Sequence, residues 1–121
     1  MLSKLMIGAG VLIAAALLAL AIFVFEPFKR IPDIGRGLPG RDGPASEELR
    51  ARVKAQFPLP MASTDIVSAL AAQGFDISTV HNVASFSKNG FPCRTVWQVF
   101  WEVDDAGQAT AIDAVYGGVC L

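Results

Sequence analysis

The chain opens with an uncharged apolar run, Leu5–Phe25, and this run most constrains how the chain can fold. Its 21 residues contain no Pro, Asn or Gln, so they predict a helix roughly 31 Å long at about 1.5 Å per residue. That length matches a hydrocarbon core of about 30 Å, where only a helix satisfies the backbone of a lone segment. Lys4 precedes the run, and Glu26 with Pro27 follows it. The sequence therefore predicts a transmembrane anchor over 1–26, with the lipid bilayer as a partner.

A cleaved signal peptide is the main alternative for this segment, because Ala19-Leu20-Ala21 forms a nominal cleavage site. A signal peptide usually has an apolar region of about 7–15 residues. Here the run is longer and continues past that site, which favours an uncleaved, single-pass signal-anchor. A buried helix of a globular domain is a weaker alternative, since few residues remain to wrap it.

Small residues spaced four apart occur within the run, as Gly10 with Ala14 and Ala15 with Ala19. Such spacing lets two helices approach closely. It also arises by chance in an Ala-rich segment, so weak helix-mediated self-association is an option and not the expected state.

Residues 27–44 contain four Pro and four Gly, which disfavour regular structure and predict a linker. The linker is basic and carries a net charge of +2. Its basic residues either contact anionic headgroups or only help to set topology in a solvated tether. The charged residues are Lys29, Arg30, Arg36 and Arg41 against Asp33 and Asp42.

Residues 45–121 form the predicted domain. Five Lys and Arg face eight Asp and Glu there, a net charge of −3, which excludes a basic nucleic-acid-binding domain. The chain as a whole is 53% hydrophobic and 17% charged, which excludes a disordered protein. A domain this small gains from a covalent staple.

Two helices are predicted first. Ser46 is a fair N-cap for a helix whose apolar stripe recurs at Leu49, Val53 and Phe57. A second helix begins near Ser63 or Thr64 and ends at Gly74, which suits a C-terminal cap before Phe75. Its inner face is formed by Ile66, Val67 and Leu70.

Strands follow, beginning with one over 79–86 and a turn near 88–90. In the run 96–103, the odd positions Trp97, Val99, Trp101 and Val103 are all apolar, so they face the core. The turn 104–107 places Gly107 in a left-handed position. The last strand runs over 109–120 and presents Ile112, Ala114 and Tyr116 to the same core. The predicted fold is α+β: a transmembrane helix, then two short helices on about three antiparallel strands.

The two cysteines fall on the same inner face of this hairpin. With a four-residue turn, Cys93 and Cys120 lie at most two positions out of register, and a bulge or a slightly longer loop would place them opposite each other. We predict a disulfide; two buried free thiols are the alternative. Two cysteines and the distant His81 make no zinc site, and no other cofactor is indicated.

Two signals disagree about the compartment. The basic residues after the apolar run outnumber Lys4 and the amino terminus, which favours a cytoplasmic domain. The disulfide favours an oxidising compartment. We expect a single-pass protein of the cytoplasmic membrane with a periplasmic domain.

No known catalytic grouping is present. His81 lacks a nucleophile pattern around it, and Asp104 and Asp105 occupy positions where turns favour Asp. Glu102 and Asp113 complete an acidic cluster without a calcium-loop spacing. Gly117-Gly118 matches no phosphate-binding loop.

The outer sheet face is more informative. It carries the apolar residues Val96, Phe100, Ala111 and Val115, within a polar rim of Arg94, Gln98, Glu102 and Asp113. In a two-layer domain only one sheet face is covered by the domain's own helices. This face is therefore either the one that the helices cover or an apolar patch that suits a protein partner. We predict the second, with Val96, Phe100, Ala111 and Val115 as the partner-binding residues.

The order of elements resembles a known family. Ile66-Val67-Ser68-Ala69-Leu70 with Gly74-Phe75, followed by the run VWQVFWEVDDAGQATAIDAVYGG, resembles small envelope proteins of the SmpA/OmlA (BamE-like) kind over about 60 residues. The resemblance implies two short helices on a three-stranded sheet and a non-enzymatic role in outer-membrane protein assembly. The lipidation cysteine of that family is absent, and no binding residues carry over. The closing YGGVCL is similar to small bacterial membrane proteins.

Two classes of function follow. The favoured one is a membrane-anchored, non-enzymatic interaction or structural module of the bacterial envelope, with a protein partner. The alternative is a small-ligand-binding or enzymatic domain that uses the Trp97/Trp101/Tyr116 face with Glu102 or Asp113.

Overall fold

The order of elements along the chain is helix, helix, then a sheet into which a third helix is inserted. The computed structural model describes residues 2–25, 29–40 and 42–120. The five strands form one antiparallel sheet in the order β1-β5-β4-β3-β2. The elements are α1 (Leu2–Phe25), a short 3-10 helix (Asp33–Gly35), α2 (Asp42–Gln56), β1 (Met61–Ala62), α3 (Ser63–Ala72), β2 (Asp76–Ser78), β3 (Val83–Lys88), β4 (Cys93–Val103) and β5 (Gln108–Cys120).

The amino-terminal apolar run is helical and lies within α1, but the structure overturns its predicted role. A bilayer crossing needs about 20 consecutive apolar residues. No helix among the described residues is long and apolar enough to cross a membrane. The predicted transmembrane span Leu5–Phe25 is therefore wrong, and so is the single-pass localisation in the cytoplasmic membrane with a periplasmic domain.

The sheet has five strands where about three were predicted. Only the second half of the predicted strand 79–86 is a strand. Residues 79–82 form a turn between β2 and β3, and residues 83–86 belong to β3. Asn82 sits in that turn at φ 52°, a left-handed conformation that Asn tolerates better than most residues. Its carbonyl accepts a hydrogen bond from the Trp101 amide at 3.1 Å, which ties the turn to β4.

The helices differ from prediction mainly at their amino ends. The stripe Leu49, Val53 and Phe57 is buried, as predicted. However, α2 begins at Asp42, so Ser46 lies inside the helix and caps nothing there. Ser63 does not cap α3 either, since the N-cap is Ala62 and makes no side-chain hydrogen bond.

The carboxyl end of α3 has the predicted glycine cap. Gly74 adopts φ 96°, which a residue with a side chain rarely does. The Phe75 amide donates to the Leu70 carbonyl at 3.1 Å, and the Gly74 amide donates to Ala71 at 3.0 Å. This pair of bonds is a Schellman motif, and it satisfies carbonyls that the helix end would otherwise leave open.

The β4–β5 hairpin has the predicted inner face. Trp97 lies opposite Tyr116, Val99 opposite Ala114, and Trp101 opposite Ile112. Its turn places Gly107 at φ 79°. The Gly107 amide donates to the Asp104 carbonyl at 3.1 Å, while the Asp104 amide donates to Gln108 at 2.9 Å. This geometry is a type I turn followed by a glycine bulge.

A β-bulge then resets the register of β5. Glu102 pairs with Ala111 but Val103 pairs with Ala109, so Thr110 is the extra residue. Because of this shift, Cys93 lies directly opposite Cys120. The predicted disulfide between them is present.

The core lies between the inner sheet face and the layer formed by α2, α3 and the 3-10 helix. Residues from all of these elements belong to one buried cluster. The predicted linker contributes to it through Ile34, which is buried, and through Ile31 and Leu38 at its margin. Gly35 lies so close to Trp97 that an added Cβ would stand 2.6 Å from the indole, and the Gly35 carbonyl accepts a hydrogen bond from Trp97 Nε1 at 3.1 Å.

The disulfide should account for a large part of the domain's stability. The double variant Cys93→Ser, Cys120→Ser releases a loop with a sequence separation of 27, so we expect the free energy of unfolding to fall by about 2–4 kcal/mol. Urea denaturation of the oxidised protein and the variant measures the difference. Reduced wild-type protein serves as the control and should behave like the variant. An unchanged midpoint in both would contradict the expectation.

Ser46 should stabilise the sheet edge and not the start of its helix. Its hydroxyl donates to the Tyr116 carbonyl at 2.9 Å and accepts from the Tyr116 amide at 3.0 Å. We expect Ser46→Ala to lower the free energy of unfolding by about 1–2 kcal/mol, because both backbone groups lose their partner. The matched control is Ser68→Ala, at an exposed position of α3, which we expect to be neutral or slightly stabilising. Equal effects of the two changes in urea denaturation would refute this role.

Candidate functional site

The outer sheet face is the candidate site, because none of the described elements covers its centre around Phe100 and Val115. Phe100 and Val115 are 39% and 42% exposed there. Ala111 is also exposed, and Val96 is half-buried. The structure thus places the four residues predicted to bind a partner on one solvent-facing surface, which we call the outer patch: Val96, Phe100, Ala111 and Val115.

Strand register sets the arrangement of the outer patch. Phe100 lies opposite Asp113, so Ala111 and Val115 are its diagonal neighbours on β5. Val96 lies opposite Gly117 and is likewise diagonal to Val115. Diagonal side chains across two strands are close enough for a large ring to touch both. The patch is therefore centred on Phe100 and Val115.

A cleft of about 530 Å³ opens at the end of the patch nearest the β4–β5 turn. Ala111 stands opposite Glu102, and its single methyl group leaves space between Phe100 and Glu102. His81 reaches the cleft from the 79–82 turn, which the sequence did not predict. The lining residues are His81, Val83, Gln98, Phe100, Trp101, Glu102, Ala111, Ile112 and Asp113.

The two carboxylates of the cleft differ in their surroundings. Asp113 accepts a hydrogen bond from Arg50 at 2.5 Å and one from the Ala114 amide at 2.8 Å. Burial alone would raise the pKa of Asp113, but these hydrogen bonds and the charges of Arg50 and Lys54 hold its pKa below the usual value of an aspartate. The Glu102 side chain is exposed, and within the described residues it makes no hydrogen bond or ion pair.

The aromatic trio proposed as a ligand groove lies on the opposite, inner face. Trp97 and Trp101 are each 4% exposed, and Tyr116 packs at the margin of the core. Trp97 and Tyr116 meet edge to face with ring centroids 5.4 Å apart, and Trp101 Nε1 donates to Ser63 Oγ at 2.9 Å. The structure therefore uses these rings as core and separates the trio from the Glu102 and Asp113 side chains.

The remaining chemical candidates are dispersed. Asp104 Oδ1 accepts from the Ala106 amide at 3.0 Å and from the Gln108 amide at 2.9 Å, which gives Asp104 a role in the turn. Asp105 is exposed at its tip, and Gly117-Gly118 lies within β5. Among the described residues, no group of three His, Cys, Asp or Glu side chains is placed to hold a metal ion.

The basic linker residues are engaged locally. Arg30 and Arg36 both pair with Asp33, at 3.7 and 3.1 Å. Lys29 Nζ lies 4.8 Å from the centroid of the Phe86 ring. Arg41 lies outside the described residues. The pairs Gly10 with Ala14 and Ala15 with Ala19 are exposed on α1, so their self-association stays a prediction.

Two residues that shape the site were missed by sequence reasoning. Ser46 and Arg50 lie one turn apart on α2, and they hold Tyr116 and Asp113 of β5. The sequence signal for this role was a polar stripe along the helix, formed by Ser46, Arg50 and Lys54 at a spacing of four residues. Such a polar stripe is also typical of a solvated helix face.

Comparison with known proteins adds no relative. No family model matches this chain, and no curated protein and no solved structure matches it either. The resemblance to the SmpA/OmlA (BamE-like) proteins therefore stays a prediction.

The Asp113–Arg50 pair should make stability depend on acid pH. A carboxyl whose pKa is lower in the folded state contributes stability above its unfolded pKa, and that contribution disappears as the pH falls through the folded pKa. We expect Asp113→Asn to lower the thermal midpoint at pH 6, and the gap from wild type to close below about pH 4. Asp105→Asn, the same change at the turn tip, is the control. A gap that persists at pH 2 would contradict the assignment.

Proposed function

We propose that this chain is a non-enzymatic interaction module, and that its outer patch binds a partner protein. The carrying observation is the exposure of Phe100 and Val115 on a sheet face that no described element covers. An apolar cluster with a polar rim is typical of a protein-binding surface. The rim here consists of Arg94, Gln98, Glu102 and Asp113, all on the same face.

The different surroundings of the two sheet faces support this proposal. The inner face packs against α2 and α3, so its aromatic residues stabilise the fold. Asp104 and Asp113, which a catalytic interpretation would use, hold the hairpin turn and the edge of the sheet. The groups left over for recognition are those of the outer face.

Phe100 is the best candidate for the residue that contributes most to binding. Aromatic side chains near the centre of an interface often carry much of the binding energy. A sheet scaffold stapled by the Cys93–Cys120 disulfide also holds Phe100 in place before binding, which lowers the entropy cost of association.

Site-specific photocrosslinking tests the location of the interface. The benzophenone analogue of phenylalanine is placed at 100 or 115 in the full-length chain, in cells that make the protein, and at Glu47 or Ser68 in the helix layer as controls. We expect a discrete adduct with one partner from 100 and 115, and none from the controls. The same adducts from the helix layer, or none from the outer patch, would overturn the proposal.

Phe100→Glu should abolish partner binding while the domain stays folded. The side chain points away from the core, so we expect a change in the thermal midpoint of only a few degrees, and loss of the adduct from position 115. Phe91→Glu makes the same chemical change at a residue that is 79% exposed in the loop before β4, and we expect it to retain the adduct. Global unfolding of Phe100→Glu would show that this face belongs to the core.

A further inference from the structure

We propose that the partner segment presents an arginine whose guanidinium enters the cleft between Phe100 and Glu102, over Ala111. This inference rests on the proposed function and specifies the chemistry of its ligand. It follows from the shape of the cleft, its charge and the groups that face it.

The shape of the cleft comes from one small residue. Phe100 and Glu102 are two positions apart on β4, so their side chains share the outer face and stand roughly 7 Å apart. Ala111 forms the floor because it is the residue opposite Glu102. A flat group can therefore lie against the Phe100 ring with its edge towards the Glu102 carboxylate.

The cleft carries two carboxylates, those of Asp113 and Glu102, and the two nearby cations of α2, Arg50 and Lys54, both act on Asp113. Arg50 holds the Asp113 carboxylate, so that charge is already matched. Glu102 has no such partner within the described residues. The other cation on the outer face of β4 is Arg94, eight residues away and roughly 27 Å along the strand. A cation brought by the partner would match the charge of Glu102.

Arginine suits these groups better than lysine or a small cation. A guanidinium is planar, stacks on an aromatic ring and donates two parallel hydrogen bonds to one carboxylate. A lysine ammonium pairs with the carboxylate but gains less from the ring face. The neighbouring apolar residues of the outer patch, Val115 above all, would receive an apolar residue of the same partner segment.

A positional peptide library tests this assignment on the full-length chain. Each sublibrary is a set of nine-residue peptides in which the central residue is fixed and the other positions are random. The fixed residue is Arg, Lys, Gln or Glu. Binding of the fluorescently labelled protein is compared for wild type, Phe100→Glu, Glu102→Gln and Glu47→Gln. The last variant is the control, since it makes the same charge change at an exposed position of α2.

We expect the Arg sublibrary to bind wild type best, with a preference over Gln of about tenfold. Glu102→Gln should erase this preference, and Glu47→Gln should keep it. Ala111→Leu fills the cleft without changing the charge, and it should also erase the preference. Its control is Ala55→Leu, at an exposed position of α2. Thermal midpoints establish that each variant is folded.

The results distinguish a failure of the arginine assignment from a failure of the proposed function. Peptide binding that requires Phe100 but favours Gln or Glu, or favours Lys and Arg equally, overturns the arginine assignment and leaves the proposed function standing. An arginine preference that survives both Glu102→Gln and Ala111→Leu overturns the placement in this cleft. Binding no stronger than that of Phe100→Glu in every sublibrary overturns both proposals.

Discussion

An aromatic row across the inner sheet face is the contact on which most of the fold depends. Phe86, Trp97 and Tyr116 stand side by side on three neighbouring strands, with ring centroids 5.5 and 5.4 Å apart and edge-to-face geometry. Trp97, at the centre, also donates to the Gly35 carbonyl. The same side chain therefore joins the sheet to the segment that precedes α2. A smaller residue at 97 would loosen both at once.

The outer patch is exposed because the helices pack against the inner face of the sheet only. The alternation along β4 directs Trp97 and Trp101 inward, and the same alternation directs Phe100 outward. On β5, the Ser46 hydroxyl holds the backbone of Tyr116 at the edge of the strand. A capped edge discourages pairing with another chain, so the proposed partner would meet the face of the sheet.

The sequence predicted best those features that arise between neighbouring residues. The alternation around Trp97 and the position of Gly107 determine the hairpin, and the bulge needed to align the cysteines was foreseen as one way to pair them. Contacts between distant residues carry no local pattern, which is why Ser46 was taken for a cap. For the site, the outer patch followed from alternation alone. The cleft did not, because it depends on a turn that brings His81 beside β4.

Thr110 has a consequence for how this chain can vary. As the extra residue of the bulge, it sets the parity of every later position on β5, and hence which side chains of 111–120 face the helices. Deleting one residue between the bulge and Cys120 would exchange the two faces beyond the deletion and move Cys120 away from Cys93. Related chains with this sheet should therefore keep a fixed number of residues from the bulge to the last cysteine, and their single-residue gaps should fall in the loops 79–82 and 89–92.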